Sequence, residues 1–545
     1  MRRGPPSRSQ PDNGLLRALL AAAAFGPCAD DRAAKSFSTE TGLPLQTSIT
    51  RHRTALYAGD DAGGVLSWSG PLPAPLGPKP TAPLMHTPPT INRRTFLEKS
   101  SLATAGLWLG GCATAGRSIA RRIAPDEKMR IGCIGIGGQG GGVTAELAKF
   151  ADVEIAALCD VDPAYALKNS KKYPTAPLYS DYREMLAKEK KLHAVMIATP
   201  DHWHAPISLA AMSLGLHVYC ERPLAHTIEE ARLMGRVARE TGVVTQMGQT
   251  GHASEGLRLT KEWIDADAIG AVSEVHVWSD RPGKFWRTQG QRRPTETPPV
   301  AKGLDWNLWL GPAAERPYHP DYCPRQWRGW IDFGCGAMGD MAVHNANPAF
   351  YVLDLDAPDW VEAETAPTNA DTFPTWSMIT YHFPAKGRRG PIKMVWYDGG
   401  KLPPRPAGLE AERALGDNGI YFVGPKGVLL APGWSGPPRL VPESKMAAFE
   451  RPAKTIPRSV GHHREWVDAC RAGRPEYAKA GFWYSAPFTE ALLVGLLPIY
   501  AGKRIQWDAR TMTATNAPEL ARFIRKPYRR GFELQPGVSP TRSVA

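Results

Sequence analysis

Asp340 and His344, in the run Gly336-Ala337-Met338-Gly339-Asp340-Met341-Ala342-Val343-His344, have the types and spacing to move a proton. On a helix, residues four apart project from one face, and histidine is the side chain whose ordinary pKa lies nearest neutrality. Such a base suits removal of a hydroxyl proton while hydride leaves the same carbon, with Asp340 orienting the substrate or raising the basicity of His344. From spacing alone, a purely structural role for the pair stands equally open. A second group lies early in the chain: Gly135-Ile136-Gly137-Gly138-Gln139-Gly140. Glycines there let the backbone turn tightly and approach a pyrophosphate, whose charge meets the N–H groups at a helix start. Asp160, 20 residues past Gly140, is placed to bind the adenosine ribose hydroxyls and to repel a 2′-phosphate. NAD is therefore expected as cofactor in preference to NADP.

The elements that must position these residues alternate between apolar runs and helical stretches. Arg130–Ile136, Val153–Asp160, His193–Thr199, Val218–Cys220 and Val243–Met247 read as strands. Helices are expected over Gly140–Phe150, Ala205–Leu214 and about Thr227 to Thr241. This pattern predicts an α/β fold with a doubly wound parallel sheet, in which ligands bind at the carboxyl ends of the strands. Two polar clusters stand there. One is Thr199-Pro200-Asp201-His202-Trp203-His204, the other Glu221-Arg222-Pro223. Thr199, Pro200, His202, His204, Glu221 and Arg222 are accordingly candidate cofactor contacts, with one of the two histidines expected to touch cofactor or substrate. Beyond residue 250 the strands Val272–Ser279, Ser377–Phe383, Lys393–Tyr397 and Ile420–Val423 suggest a second α/β region, and a helix from Gly336 to about Leu353 carries Asp340 and His344. Tryptophans are frequent here, and aromatic faces suit the apolar faces of sugars. Trp286 and Trp327, with Arg328, are candidate substrate contacts, although core packing accounts equally well for many such rings. His462 and His463 open an expected helix and read as solvated or capping.

These residues resemble the Gfo/Idh/MocA (glucose–fructose oxidoreductase/inositol dehydrogenase) family over roughly residues 129 to 530. The carriers are the glycine turn, Ala198 to His204, Gly215 to Pro223, and Gly336 to His344. The resemblance implies an N-terminal Rossmann domain, a C-terminal α/β domain with a large open, mostly antiparallel sheet that mediates oligomers, and catalytic roles for Asp340 and His344. One position departs from the family pattern: Arg222 stands where the usual motif is Glu-Lys-Pro. Arginine keeps the charge and the donors but cannot carry a proton, so proton work falls on His344 while Arg222 positions and polarises. The resemblance thus implies NAD-dependent hydride transfer on a carbohydrate or polyol. Redox-assisted cleavage or epimerisation with no net oxidation, and a sugar-binding protein that has lost turnover, are the alternatives.

Of the formal charge of +13, +8 lies in residues 1–130, and no basic run interleaved with aromatics follows, which argues against nucleic-acid binding. The eight cysteines include no CxxC pair, and no His/Asp/Glu spacing suggests a metal. Asn92-Arg93-Arg94-Thr95-Phe96-Leu97, followed by an almost uncharged run, reads as a twin-arginine export signal and predicts a periplasmic location. Leu109-Gly110-Gly111-Cys112 resembles a lipobox, with Cys112 as a lipid anchor. Cleavage after Ala113-Thr114-Ala115 is the competing reading. The expected division is a non-native or disordered extension over 1–84, with translation starting at Met85, then signal and linker over 85–127. A cofactor domain over 128–250, a substrate and oligomerisation domain over 251–530, and a tail over 531–545 complete it. A homo-oligomer, dimer or tetramer, is expected through the second sheet.

Overall fold

A computed structural model describes residues 118–534. The twin-arginine motif, Cys112 and the 1–84 extension lie outside the described residues.

Six short strands form the first sheet: β1 (Met129–Ile134), β2 (Val153–Cys159), β3 (Leu178–Tyr179), β4 (Ala194–Ile197), β5 (His217–Cys220) and β6 (Thr245–Met247). Their order is β3-β2-β1-β4-β5-β6 and every neighbouring pair is parallel. Parallel strands covered on both faces need apolar side chains in both directions. Met129, Ile131, Cys133 and Ile134 of β1, and Ala194 to Ile197 of β4, are accordingly buried. The order reverses between β1 and β4, which places the crevice for a ligand at their carboxyl ends. The helix Ile228–Thr241 is held at its start by a capping box between Thr227 and Glu230 and stops at Gly242, whose φ of 68° is left-handed.

Nine strands form the second sheet: β7 (Glu274–Trp278), β8 (Trp360–Thr365), β9 (Ser377–Phe383), β10 (Ile392–Tyr397), β11 (Gly419–Gly424), β12 (Gly427–Pro432), β13 (Arg439–Val441), β14 (Ile505–Asp508) and β15 (Thr513–Ala514). Its order is β13-β12-β11-β7-β10-β9-β8-β14-β15, antiparallel throughout except for the β7–β10 pair. Alternation decides the faces. Val275, Val277, Met394, Trp396, Ile420 and Phe422 turn into the main core, while Trp278, Val395, Tyr397, Tyr421 and Leu430 form a separate layer with Leu409. Between β7 and residue 335 the chain makes a long excursion with little regular structure. It folds on its own cluster of Trp309, Tyr322, Trp327, Trp330 and Phe333.

Segments on both sides of residues 128–250 pack onto the first domain. Residues 118–123 dock on the first domain, with Ile119 N–H donating to Thr241 O and Arg121 N–H to Gly215 O. Trp466, Val467 and Cys470, from the helix His462–Ala472, fill the core on one face of the parallel sheet. The helix Phe482–Val494 packs on Ile228–Thr241, and a Cβ at Gly235 would stand 2.7 Å from Ala486 Cβ. The first domain is therefore completed by residues far past 250.

Candidate functional site

The glycine turn leaves β1 with Gly135 at φ 80°, and a Cβ there would lie 2.7 Å from Ala198 O. A Cβ at Gly140 would lie 2.0 Å from Gly135 O. The helix Gln139–Leu147 starts at once, with Gly138 as N-cap and no side-chain cap, so its first N–H groups stay open to an anion. Asp160 Oδ2 accepts from Gly137 N–H at 2.9 Å and Oδ1 from Asp162 N–H at 3.0 Å. Burial raises this carboxyl to about 6, against the pull of those N–H groups. At the end of β4, Thr199 Oγ1 is buried without a partner. An uncapped helix start, a backbone cradle that a Cβ would fill, a carboxylate at the end of β2 and an orphan hydroxyl together fit a dinucleotide.

At the end of β5, Glu221 fits because residue 248 is glycine; a Cβ there would lie 2.6 Å from the Glu221 carboxyl. Arg222 Nη1 donates to Glu221 Oε2 at 3.1 Å, and Arg222 Nε donates to His344 Nε2 at 2.8 Å. That contact fixes the His344 tautomer: Nε2 is the acceptor and Nδ1, buried and without a partner, carries the hydrogen. Burial, and then the Arg222 charge, push the His344 pKa down to about 3, with Arg281 adding to the push, while Asp340 pulls the other way. Asp340 does not bond His344. It accepts from Arg328 Nε at 3.1 Å. Burial opposes its ionisation, yet Arg328 and Arg222 outweigh burial and hold the carboxyl below its usual range. Asp340 thus raises the basicity of His344 as expected, but burial first and the Arg222 cation second outweigh it. The expected unbroken helix is also interrupted: Met338–Ala342 forms a π turn, followed by Val343–Asn345 and Asn347–Leu353. Such widened turns occur where side chains are re-aimed at functional sites.

Other sequence candidates sit elsewhere than expected. Both His202 nitrogens face carbonyls, Nδ1 to Phe333 O at 3.3 Å and Nε2 to Trp309 O at 3.1 Å. His204 is held likewise, by Pro223 O at 2.8 Å and Thr199 O at 3.0 Å. Burial depresses their pKa values to about 3 and about 4, so each is a neutral ring whose single N–H donates to one of its two carbonyls, and both ring nitrogens are turned to backbone. Pro200 leads into the short turn Asp201–Trp203. Trp286 and Trp327 are 3% and 7% exposed. They lie beneath Arg328, whose guanidinium is 4.3 Å from the Trp327 ring and 6.0 Å from that of Trp286. They form the bed of the cation that holds Asp340, leaving little ring surface for a substrate. His462 is buried against Tyr219 instead of solvated.

Three residues carry weight that the sequence reading missed. Asp201 is buried, accepts Cys335 N–H at 3.1 Å, and is raised to about 8 by burial, so it is a neutral acid beside Arg328 and Asp340. Trp434 lies 5.9 Å from the His344 ring. Asn345, next to His344, accepts the Trp434 backbone N–H through Oδ1. Only the polar strand-end setting hinted at Asp201; nothing local marked the other two.

The fold and the glycine turn define an oxidoreductase-type α/β protein with an NAD-binding Rossmann domain. Residues 129–249 match the Gfo/Idh/MocA oxidoreductase family's NAD-binding Rossmann-fold model, and residues 257–389 match its C-terminal alpha/beta domain model. Among curated relatives, a glycosyl hydrolase family 109 protein of Shewanella baltica is 32% identical over 162 residues, 26% of this chain and 35% of the relative. An alpha-N-acetylgalactosaminidase of Shewanella oneidensis is 34% identical over the same shares. The chain thus spans about a third of the length of these relatives. The WlbA dehydrogenase of Bordetella pertussis, solved with NADH and UDP-GlcNAcA, superposes with a TM-score of 0.49 at 20% identity, covering 70% of this chain and 99% of that one.

Proposed function

We propose that the chain moves hydride between NAD and a carbinol carbon of a carbohydrate or polyol, keeping the cofactor bound between turnovers. The observation that carries this reading is the meeting of Arg222 Nε and His344 Nε2 at 2.8 Å beside Asp340, at the carboxyl end of β5 in an NAD-binding domain. When bound, NAD supplies the hydride acceptor. The cradle from Gly135 to Gly140, with Gly137, Gly138 and Gln139 at its rim, would hold the pyrophosphate, and Asp160 the ribose. Neutral His344 has one lone pair, on Nε2. A substrate hydroxyl entering there displaces the Arg222 N–H and gives its proton to Nε2. Arg222 then polarises the oxygen without exchanging protons, and ionised Asp340 stabilises the imidazolium.

A second reading is transient oxidation that acidifies the neighbouring carbon and lets a C–O bond break. The family 109 hydrolase and alpha-N-acetylgalactosaminidase names of the relatives favour it. Denaturing the purified protein and identifying released nucleotide by mass spectrometry tests the shared basis. About one NAD(H) per chain supports both readings; a protein that releases none and takes up no added NAD sinks both. Release of p-nitrophenol from an N-acetylgalactosaminide without net NADH then selects the second. The twin-arginine motif supports export of the loaded protein to the periplasm, free or anchored through Cys112, and an oligomer built on the second sheet is proposed with it. Fractionation of cells and light scattering of the purified chain test those two points.

A further inference from the structure

We propose that Trp434 is the platform on which the substrate's ring lies, its indole taking the C–H face of a pyranose beside His344. The inference rests on the carbohydrate reading above and names the shape of sugar that the site selects.

Trp434 is 38% exposed, whereas Trp286 and Trp327 are buried. Its ring lies 5.9 Å from His344, tilted by 33°. The backbone beneath it is strained: Trp434 and Ser435 both have φ of 56°. For residues with a Cβ, that left-handed conformation costs about 1–2 kcal/mol each. Three separate parts of the fold impose it. Trp434 N–H donates to Asn345 Oδ1 at 3.2 Å, and Asn345 Nδ2 donates to Trp278 O at 2.8 Å. Ser254 Oγ donates to Ser435 O at 2.8 Å, and Gly433 N–H to Asn418 O at 3.0 Å. Gly251 and Gly256 lack the Cβ atoms that would come within 2.7 Å of Trp434 O and 2.3 Å of Ser435 O. The turn is thus gripped from the end of β6, from the helical turn that holds His344, and from the second sheet. All that restraint presents a large apolar ring to solvent next to the candidate base. A core gains nothing from such an arrangement, and strain held this way belongs to binding sites.

A pyranose has a rigid face of C–H groups that an indole covers well, while an acyclic polyol has none. Trp434 therefore favours ring-closed sugars over open chains. The test measures binding to the full chain by saturation-transfer NMR and calorimetry. The probes are methyl β-D-glucopyranoside, methyl N-acetyl-α-D-galactosaminide and sorbitol. Trp434→Gly suits the left-handed backbone, so its unfolding midpoint should hold, and Trp434→Phe keeps a smaller ring. Trp434→Gly is expected to weaken pyranoside binding about tenfold and to leave sorbitol and bound nucleotide unchanged. Trp434→Phe should recover most of the loss. Unchanged pyranoside affinity in Trp434→Gly, or an equal loss for sorbitol, overturns the platform and leaves the carbohydrate reading intact. Loss of nucleotide instead assigns the ring to the cofactor and also overturns it. Failure of the unaltered protein to bind any of the three probes overturns the platform together with the carbohydrate reading.

Discussion

Replacing Arg222 by methionine should move the acid limb of the activity profile upward, and the size of the move follows from the site. Arg222 Nε sits 2.8 Å from His344 Nε2, which puts the cationic centre on the order of 4 Å from the imidazole. At an effective dielectric of about 20, a unit charge at that range is worth about 4 kcal/mol, or about three pKa units. His344 is held at about 3 by burial first and Arg222 second. Methionine preserves the burial, so a return to between about 5 and 6 is expected. The base works only when neutral, so activity falls as pH drops through its pKa. The native protein should therefore show a flat kcat/KM for cofactor reduction between about pH 8 and about pH 5, and the variant a limb within that span. Burial already raises the Glu221 pKa, and the variant removes the Arg222 charge that opposes that rise. Arg222→Lys keeps a cation and should keep the flat profile. Short pH jumps with absorbance readout separate titration from acid unfolding. A native limb near the ordinary histidine value of about 6.5, or an Arg222→Met profile that superposes on the native one, would refute the electrostatic account.

Gly140→Ala drives a Cβ to 2.0 Å from Gly135 O, so bound nucleotide, measured after denaturation, should fall at least about tenfold. His202, with a folded pKa of about 3 against about 6.5 unfolded, stabilises as a neutral ring above about pH 6.5. That contribution is lost as pH falls, by about 2 kcal/mol between about pH 7 and about pH 5. His202→Asn should flatten the pH dependence of urea unfolding by that amount, whatever its effect at neutral pH; parallel curves would contradict it. Lys526 Nζ meets Glu230 Oε1 at 2.8 Å, with side chains 13% and 3% exposed. Lys526→Met leaves that carboxylate with Tyr528 and backbone donors only, and should cost about 3 kcal/mol in urea unfolding.

The parallel sheet was legible because strands covered on both faces must be unbroken apolar runs, as in Ile131 to Ile134 and Ala194 to Ile197. The glycine turn was legible because a steric requirement at Gly135 and Gly140 leaves no other residue. Elsewhere, distant residues decided the arrangement. His202 looked like a ligand contact at a strand end, but the carbonyls of Trp309 and Phe333, supplied by the aromatic excursion, close around it. The π turn at Met338–Ala342 is a slip of hydrogen bonding that side-chain periodicity does not record. Arg222 was recognised as a departure, yet its grip on His344 depends on two domains meeting. Trp434 lay in a turn whose conformation is set by Asn345, Ser254 and two glycines far off in the chain.

Trp466, Val467 and Cys470, which fill one face of the first sheet, leave the ribosome long after β1. During synthesis the glycine turn and its strands must wait, half covered, until the helix His462–Ala472 has emerged. Arg529 arrives later still, and its guanidinium donates to Gly311 O and Asn307 O to pin the aromatic excursion that closes around His202. Completion of the nucleotide domain therefore waits for residues made long after its own strands. A nascent or truncated chain can hold the glycine motif and still have no finished domain around it, so the arrival of the helix His462–Ala472 acts, in effect, as permission to load a cofactor.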